Sequence, residues 1–153
     1  MQNWFECKVS YEKILENGMQ KKVTEPYLVD ALSFTEAEAR IIEEIRPYIT
    51  GEFTIADIKR ARYSEMFFNE NGDRYYRVKV HFITLDEKSG AEKKTAAMML
   101  VQASTLQDAI AGLEEGMKGT MADYSIAAVS ETTLMDVFPF TVSAEAGQPK
   151  ASD

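Results

Sequence analysis

The 153-residue chain holds one cysteine, one histidine and one tryptophan, and its apolar runs fall far short of the about 20 residues that a membrane-spanning helix needs. A single cysteine, Cys7, excludes an internal disulfide and a thiolate-rich metal site. Positive charge is also scarce: 17 lysines and arginines against 25 aspartates and glutamates give a net charge of −8. That balance disfavours sequence-independent binding to nucleic acid, where neutralised phosphates supply the affinity, but it leaves room for a local basic patch. Met1-Gln2-Asn3-Trp4 starts no basic segment followed by an apolar one, so no secretion signal is read and a cytoplasmic setting is expected. No nucleophile elbow, phosphate loop or zinc spacing occurs.

What the chain does have is a repeat. A shift of 71 positions lays Trp4-Phe5 on Tyr75-Tyr76, Lys8-Val9 on Lys79-Val80 and Glu43-Glu44 on Glu114-Glu115. It also lays Phe53-Thr54-Ile55-Ala56 on Tyr124-Ser125-Ile126-Ala127, and Phe67 on Phe138. A fixed period shared by apolar pattern and punctuation marks two copies of one supersecondary unit. The copies run from about residue 3 to 70 and from 74 to 140, within a single globular domain spanning 1–140. The tail from Thr141 to Asp153 has almost no apolar side chains and is expected to be disordered.

Each copy reads ββαβ. Phe5, Cys7, Val9 and Tyr11 alternate with Glu6, Lys8, Ser10 and Glu12, which predicts a half-buried strand. Asn17-Gly18 predicts a tight turn, because such turns need positive φ at their central positions. A return strand follows from about Lys21 to Ala31. Ser33-x-x-Glu36 predicts a capping box, and Phe34, Ala37, Ile41 and Ile45 form the apolar stripe of a helix ending near Arg46, before Pro47. A long strand is expected from about Glu52 to Phe68. Its apolar phase shifts between Ile55 and Ile58, and the copy shifts alike between Ile126 and Val129, as a paired bulge would require. Asn69 to Asp73 reads as a hairpin joining the copies. In the second copy Ser104-x-x-Gln107 aligns with the first capping box, a helix is expected over Thr105 to Met117, and a strand over Tyr124 to Phe138. The fold expected is α+β: a mainly antiparallel sheet of about six strands, curled toward a barrel or open, with two helices on one face.

Two surfaces stand out. The return strands carry consecutive apolar residues, so something is expected to cover both of their faces: a closed barrel, a ligand, or a partner subunit. Tyr27, Val29, Met98 and Leu100 are the candidate interface residues for homo-oligomer formation or a protein partner. The polar face of the first strand of each copy carries Lys8, Arg77, Lys79 and His81, with Trp4 and Tyr75 at the same ends. Basic residues beside rings suit a platform for nucleotides or single strands. A solvated face whose lysines deter aggregation is the plainer explanation. Catalysis finds little support: His81 aligns with Ser10 at an outward position, and adjacent glutamates such as Glu43-Glu44 diverge by about 100° on a helix. No cofactor and no metal is implied, and Cys7 reads as a small core residue.

The segments Trp4 to Tyr11, Lys22 to Ala31 and Ser33 to Ala39 resemble an uncharacterised family, a domain of unknown function of Bacteroidales-type gut bacteria, their phages and mobile elements. The resemblance reaches to about Phe140 and implies an accessory gene, with no catalytic residues to carry over. The expectation is a cytoplasmic protein that acts by binding rather than catalysis, through self-association or a protein partner. Nucleotide or single-stranded nucleic-acid binding is the alternative.

Overall fold

The computed structural model describes residues 3–139. The expected tail lies outside them. The elements run β1 (Trp4–Ile14), β2 (Gln20–Asp30), α1 (Phe34–Ile45), a 3-10 turn (Arg46–Tyr48), β3 (Phe53–Ala61) and β4 (Glu65–Phe67). Then follow β5 (Arg74–Leu85), β6 (Glu92–Ala103), α2 (Leu106–Gly116), β7 (Asp123–Glu131) and β8 (Asp136–Phe138).

The α+β class is as expected, but the single six-stranded sheet is not. There are two four-stranded sheets, ordered β3-β1-β2-β8 and β4-β6-β5-β7, and neither closes into a barrel. The reason lies in the two long strands expected over Glu52 to Phe68 and Tyr124 to Phe138. Each breaks, and the short strand after the break joins the other sheet: β4 pairs in parallel with β6, and β8 in parallel with β2. The Asn69–Asp73 segment is therefore not a hairpin, since the strands it joins, β4 and β5, are not neighbours. The described residues accordingly form two units, residues 3–61 with 134–139, and residues 62–133.

In unit 1, β1 and β2 form a hairpin closed by Leu15 N–H donating to Met19 O at 2.8 Å, with Gly18 at φ 82°. Phe5, Cys7 and Val9 from β1 pack with Tyr27 and Val29 from β2 against Ala37, Ile41 and Ile45 of α1. Antiparallel pairing sets Lys8 opposite Asp57 and Val9 opposite Ile55, leaving Ala56 as the bulged residue. Unit 2 repeats this plan. Tyr76, Val78 and Val80 pack with Met99, Val101, Ala109 and Leu113, and Ala127 is the bulged residue between Lys79/Ala128 and Val80/Ile126. The paired bulge read from the apolar phase is present.

The shift of 71 does not hold throughout. The β1–β2 connection has five residues, 15–19, and the β5–β6 connection six, 86–91. Return strand and helix therefore correspond at a shift of 72: Val29 with Val101, Ala37 with Ala109, Ile41 with Leu113. The shift returns to 71 by β3 and β7. Ser33 Oγ accepts from Glu36 N–H at 3.1 Å, while Glu36 Oε1 takes the N–H of Leu32. In unit 2 the cap is Thr105, whose Oγ1 accepts from Asp108 N–H at 3.1 Å; Ser104, the residue expected there, donates to Asn71 O instead.

The borrowed strands are held differently in the two units. In unit 1 the Phe138 ring stacks on Tyr27 at 6.0 Å, and Pro139 has no N–H with which to extend the ladder. Arg40 bonds to the carbonyl oxygens of Asp30 and Pro139 and to Glu44. In unit 2 the positions matching Arg40 and Glu44 are Gly112 and Gly116. A Cβ on Gly116 would lie 2.4 Å from the Phe67 ring, so its absence lets the ring sit against the helix. A Cβ on Gly72 would meet the backbone of Ala103 at 2.6 Å, where no side chain can swing aside. Gly72→Ala is thus expected to destabilise the chain by about 1–3 kcal/mol, measured as a lower urea midpoint with an unchanged slope.

Candidate anion-binding face

The face of each sheet turned away from its helix is built from the alternate residues of the strands. In unit 1 this face carries Glu6 and Lys8 on β1. Pairing sets Glu6 opposite Lys59 and Lys8 opposite Asp57, while Ser10 lies opposite Thr54 and Thr24. Opposite charges thus face each other across β1 and β3, which stabilises a sheet by about 0.2–1 kcal/mol per pair and leaves the face neutral. The Ser10 and Thr24 hydroxyls are 2.7 Å apart.

Unit 2 has the same backbone and a different charge pattern. Arg77, Lys79 and His81 share one face of β5. Their β7 neighbours are Ser130, Ala128 and Ser125, and their β6 neighbours are Leu100, Met98 and Ala96. Every one is uncharged. Lys94 lies on the same face, opposite Ile83, as does Asp123, the first carboxylate along β7. Among the described residues Arg77 and Lys79 form no ion pair, and neither does Lys8, so the units differ in which charges their strand register sets side by side and not in salt bridges formed. Arg77 Nη2 donates to Tyr63 Oη at 3.3 Å, which holds the guanidinium over the sheet. Lys79 is exposed, and Arg77 and His81 are half-buried.

The expected platform residues therefore divide between two sheets: Trp4 and Lys8 on β1, and Tyr75, Arg77, Lys79 and His81 on β5. Trp4 and Tyr75 are each 6% exposed, so their rings present no stacking surface. Of the expected interface residues, Tyr27 and Val29 belong to the helix-side core of unit 1. Leu100 is 1% exposed on the opposite side of β6, next to half-buried Met98. Sequence reasoning passed over Asp57 and Lys59 as the charges that neutralise unit 1. The signal was present: once the bulge is placed at Ala56, the strand pairing follows.

No other chemistry gathers here. Among the described residues no three histidine, cysteine, aspartate or glutamate side chains cluster to hold a metal ion, and no helix is long and apolar enough to cross a membrane. Glu43 is exposed and Glu44 is taken by Arg40. The Cys7 thiol is pushed up to about 12, first by burial, then by the negative charges of Glu6 and Asp57.

Fold and surface together define an α+β protein of two sheet-and-helix units with no converging titratable centre among the described residues. The chain belongs to the family described as domain of unknown function DUF4494, whose model matches residues 3–140. No curated protein matches it.

Because the thiol of Cys7 ionises at 9.0 when unperturbed and near 12 in the fold, its neutral form contributes stability that is complete below pH 9 and declines as pH rises toward 12. Urea midpoints are expected to fall as pH rises above 9, and Cys7→Val, the side chain that Val78 supplies in unit 2, is expected to flatten that dependence. A slope unaltered by the substitution would assign the alkaline loss to other groups.

Proposed function

We infer that the chain is a non-catalytic binding protein whose unit 2 offers its cationic sheet face to single-stranded nucleic acid. The observation that carries this reading is the contrast between the sheets: Lys8 lies opposite Asp57, whereas the matching Lys79 lies opposite Ala128, and Arg77 and His81 lie opposite Ser130 and Ser125. On β5, alternate residues place positive groups about 7 Å apart along one line, the length scale on which an extended strand repeats its phosphates. With Trp4 and Tyr75 buried, contact runs to the phosphates rather than to stacked bases, so the affinity is modest and sensitive to salt. A net charge of −8 opposes the encounter at long range. Screening confines that opposition to about 8–10 Å at ordinary ionic strength, leaving the local stripe to act. A bacterial or phage-infected cytoplasm, as the resemblance implies, offers such strands during replication or transfer of an accessory element.

Self-association through Tyr27, Val29 and Leu100 is supported less well, because those side chains already lie in the interior of the single chain.

Fluorescence anisotropy with a labelled oligothymidylate tests the reading. Binding is expected at low salt, with log K falling linearly against log salt, and Lys79→Ala is expected to reduce that slope by about 0.7. Lys8→Ala, whose lysine faces Asp57, is expected to change nothing. Absence of binding at low salt, or equal losses from Lys8→Ala and Lys79→Ala, would overturn it.

A further inference from the structure

A second surface feature lies in unit 1, on the helix side of its sheet. A groove of about 680 Å3 runs between α1 and the start of β3. Ile42, Ile49, Phe53 and Ile55 supply its apolar wall, and Glu38 and Glu52 stand beside it with Arg46. A neighbouring hollow of about 490 Å3 shares Ile42 and Arg46 and adds Glu43. Ile42 is half-buried, next to the fully buried Ile41, and the matching position of α2 is the exposed Glu114. The shared scaffold therefore does not require an apolar side chain there.

β3 is an edge strand, so the outer row of its backbone N–H and C=O groups has no partner within the sheet. Edges of this kind are usually guarded by bulges or charges. On β3 both guards sit in the second half: the bulge at Ala56, then Asp57, Lys59 and Arg60. Phe53, Thr54 and Ile55 have neither. The unguarded half of the edge is the half that lines the groove.

We propose that the Phe53–Ile55 edge and the Ile42 groove dock an extended segment of a partner protein, apolar at alternate positions and flanked by lysine or arginine, which adds to the sheet as a further strand. Main-chain hydrogen bonds to β3 would give affinity, and the groove would take the alternate side chains. Charge decides the partner. The two hollows carry three carboxylates, Glu38, Glu43 and Glu52, against the one guanidinium of Arg46. A second copy paired edge to edge about a two-fold axis would bring like carboxylates together, whereas a basic segment meets opposite charge. The site belongs to unit 1 and does not rest on the nucleic-acid reading of unit 2.

The probe is a fluorescein-labelled peptide that alternates valine with serine and ends in lysines, titrated with the full chain. Saturable binding is expected, weakened about tenfold or more, equivalent to about 1.4 kcal/mol, by Ile42→Glu and by Glu52→Lys, and abolished when alternate peptide nitrogens are methylated. Far-ultraviolet circular dichroism confirms that each variant folds, and Lys88→Ala, in the exposed β5–β6 turn, serves as a control expected to leave peptide binding unchanged. Equal binding of the methylated peptide, equal binding of a glutamate-ended peptide, or a dimer of the chain in light scattering that the peptide does not disturb would each overturn the proposal.

Discussion

Everything in this fold depends on a reciprocal exchange of short strands. β4 leaves the first half of the sequence to pair with β6, and β8 leaves the second half to pair with β2. A strand left at the edge of a sheet presents unsatisfied backbone groups, and the ends of β2 and β6 that the short strands cover carry the consecutive buried residues Tyr27-Leu28-Val29 and Met99-Leu100-Val101. Three-residue strands are too short to be stable alone. They persist because each is fastened by side chains: Phe138 on Tyr27 with Arg40 holding the carbonyl beyond it, and Phe67 against the bare backbone of Gly116. These are two solutions to one fastening problem: a guanidinium bracket at Arg40, and a glycine seat at Gly116, the position that matches Glu44 one turn further along the helix.

With the backbone plan shared, the units act as controls for one another. Features present in both are what the scaffold needs: the bulged Ala56 and Ala127, the capped helices, and the Ala37/Ala109 and Ile41/Leu113 contacts. Features present in one only are free to carry something else. Cross-strand neutralisation of Glu6 and Lys8 in unit 1 has no equivalent around Arg77 and Lys79. The apolar Ile42 of one helix stands where the other has Glu114. Both candidate surfaces lie where the two units differ.

Much of the local structure was legible in the sequence because it follows from short-range periodicity. The helices, their apolar stripes, the Gly18 turn and both bulges follow from patterns a few residues long. The exchange was not legible, because Arg62-Tyr63-Ser64 and Thr132 to Met135 carry no glycine or proline to announce a break, and either segment reads as continuous strand. A strand broken in the middle chooses its partner by tertiary packing, which no local pattern encodes. The one-residue difference between the hairpin connections was hidden by identities on either side, and it moved the second cap from Ser104 to Thr105. Arg77, Lys79 and His81 are legible as the polar face of a strand, but Lys94, Asp123 and the uncharged cross-strand neighbours come onto that face only through the pairing. The groove at Ile42 was not legible, since Ile42 lies beside the Phe34, Ala37, Ile41 and Ile45 stripe and the wall it faces comes from residues of another element, Phe53 and Ile55.

The exchange also has a consequence for how the chain is made. Unit 1 consists of the first 61 residues and a segment that begins at Leu134. A ribosome must therefore synthesise the whole of unit 2 before it delivers the strand that completes the sheet begun first. Unit 2 waits for nothing, because β4 precedes it. Residues 62–133 can reach their final pairing on the nascent chain, while the older half holds its β2 edge open until the last strand emerges. Folding along this polypeptide thus closes from the middle outward, and the N-terminal half, although first to appear, is the last to be finished.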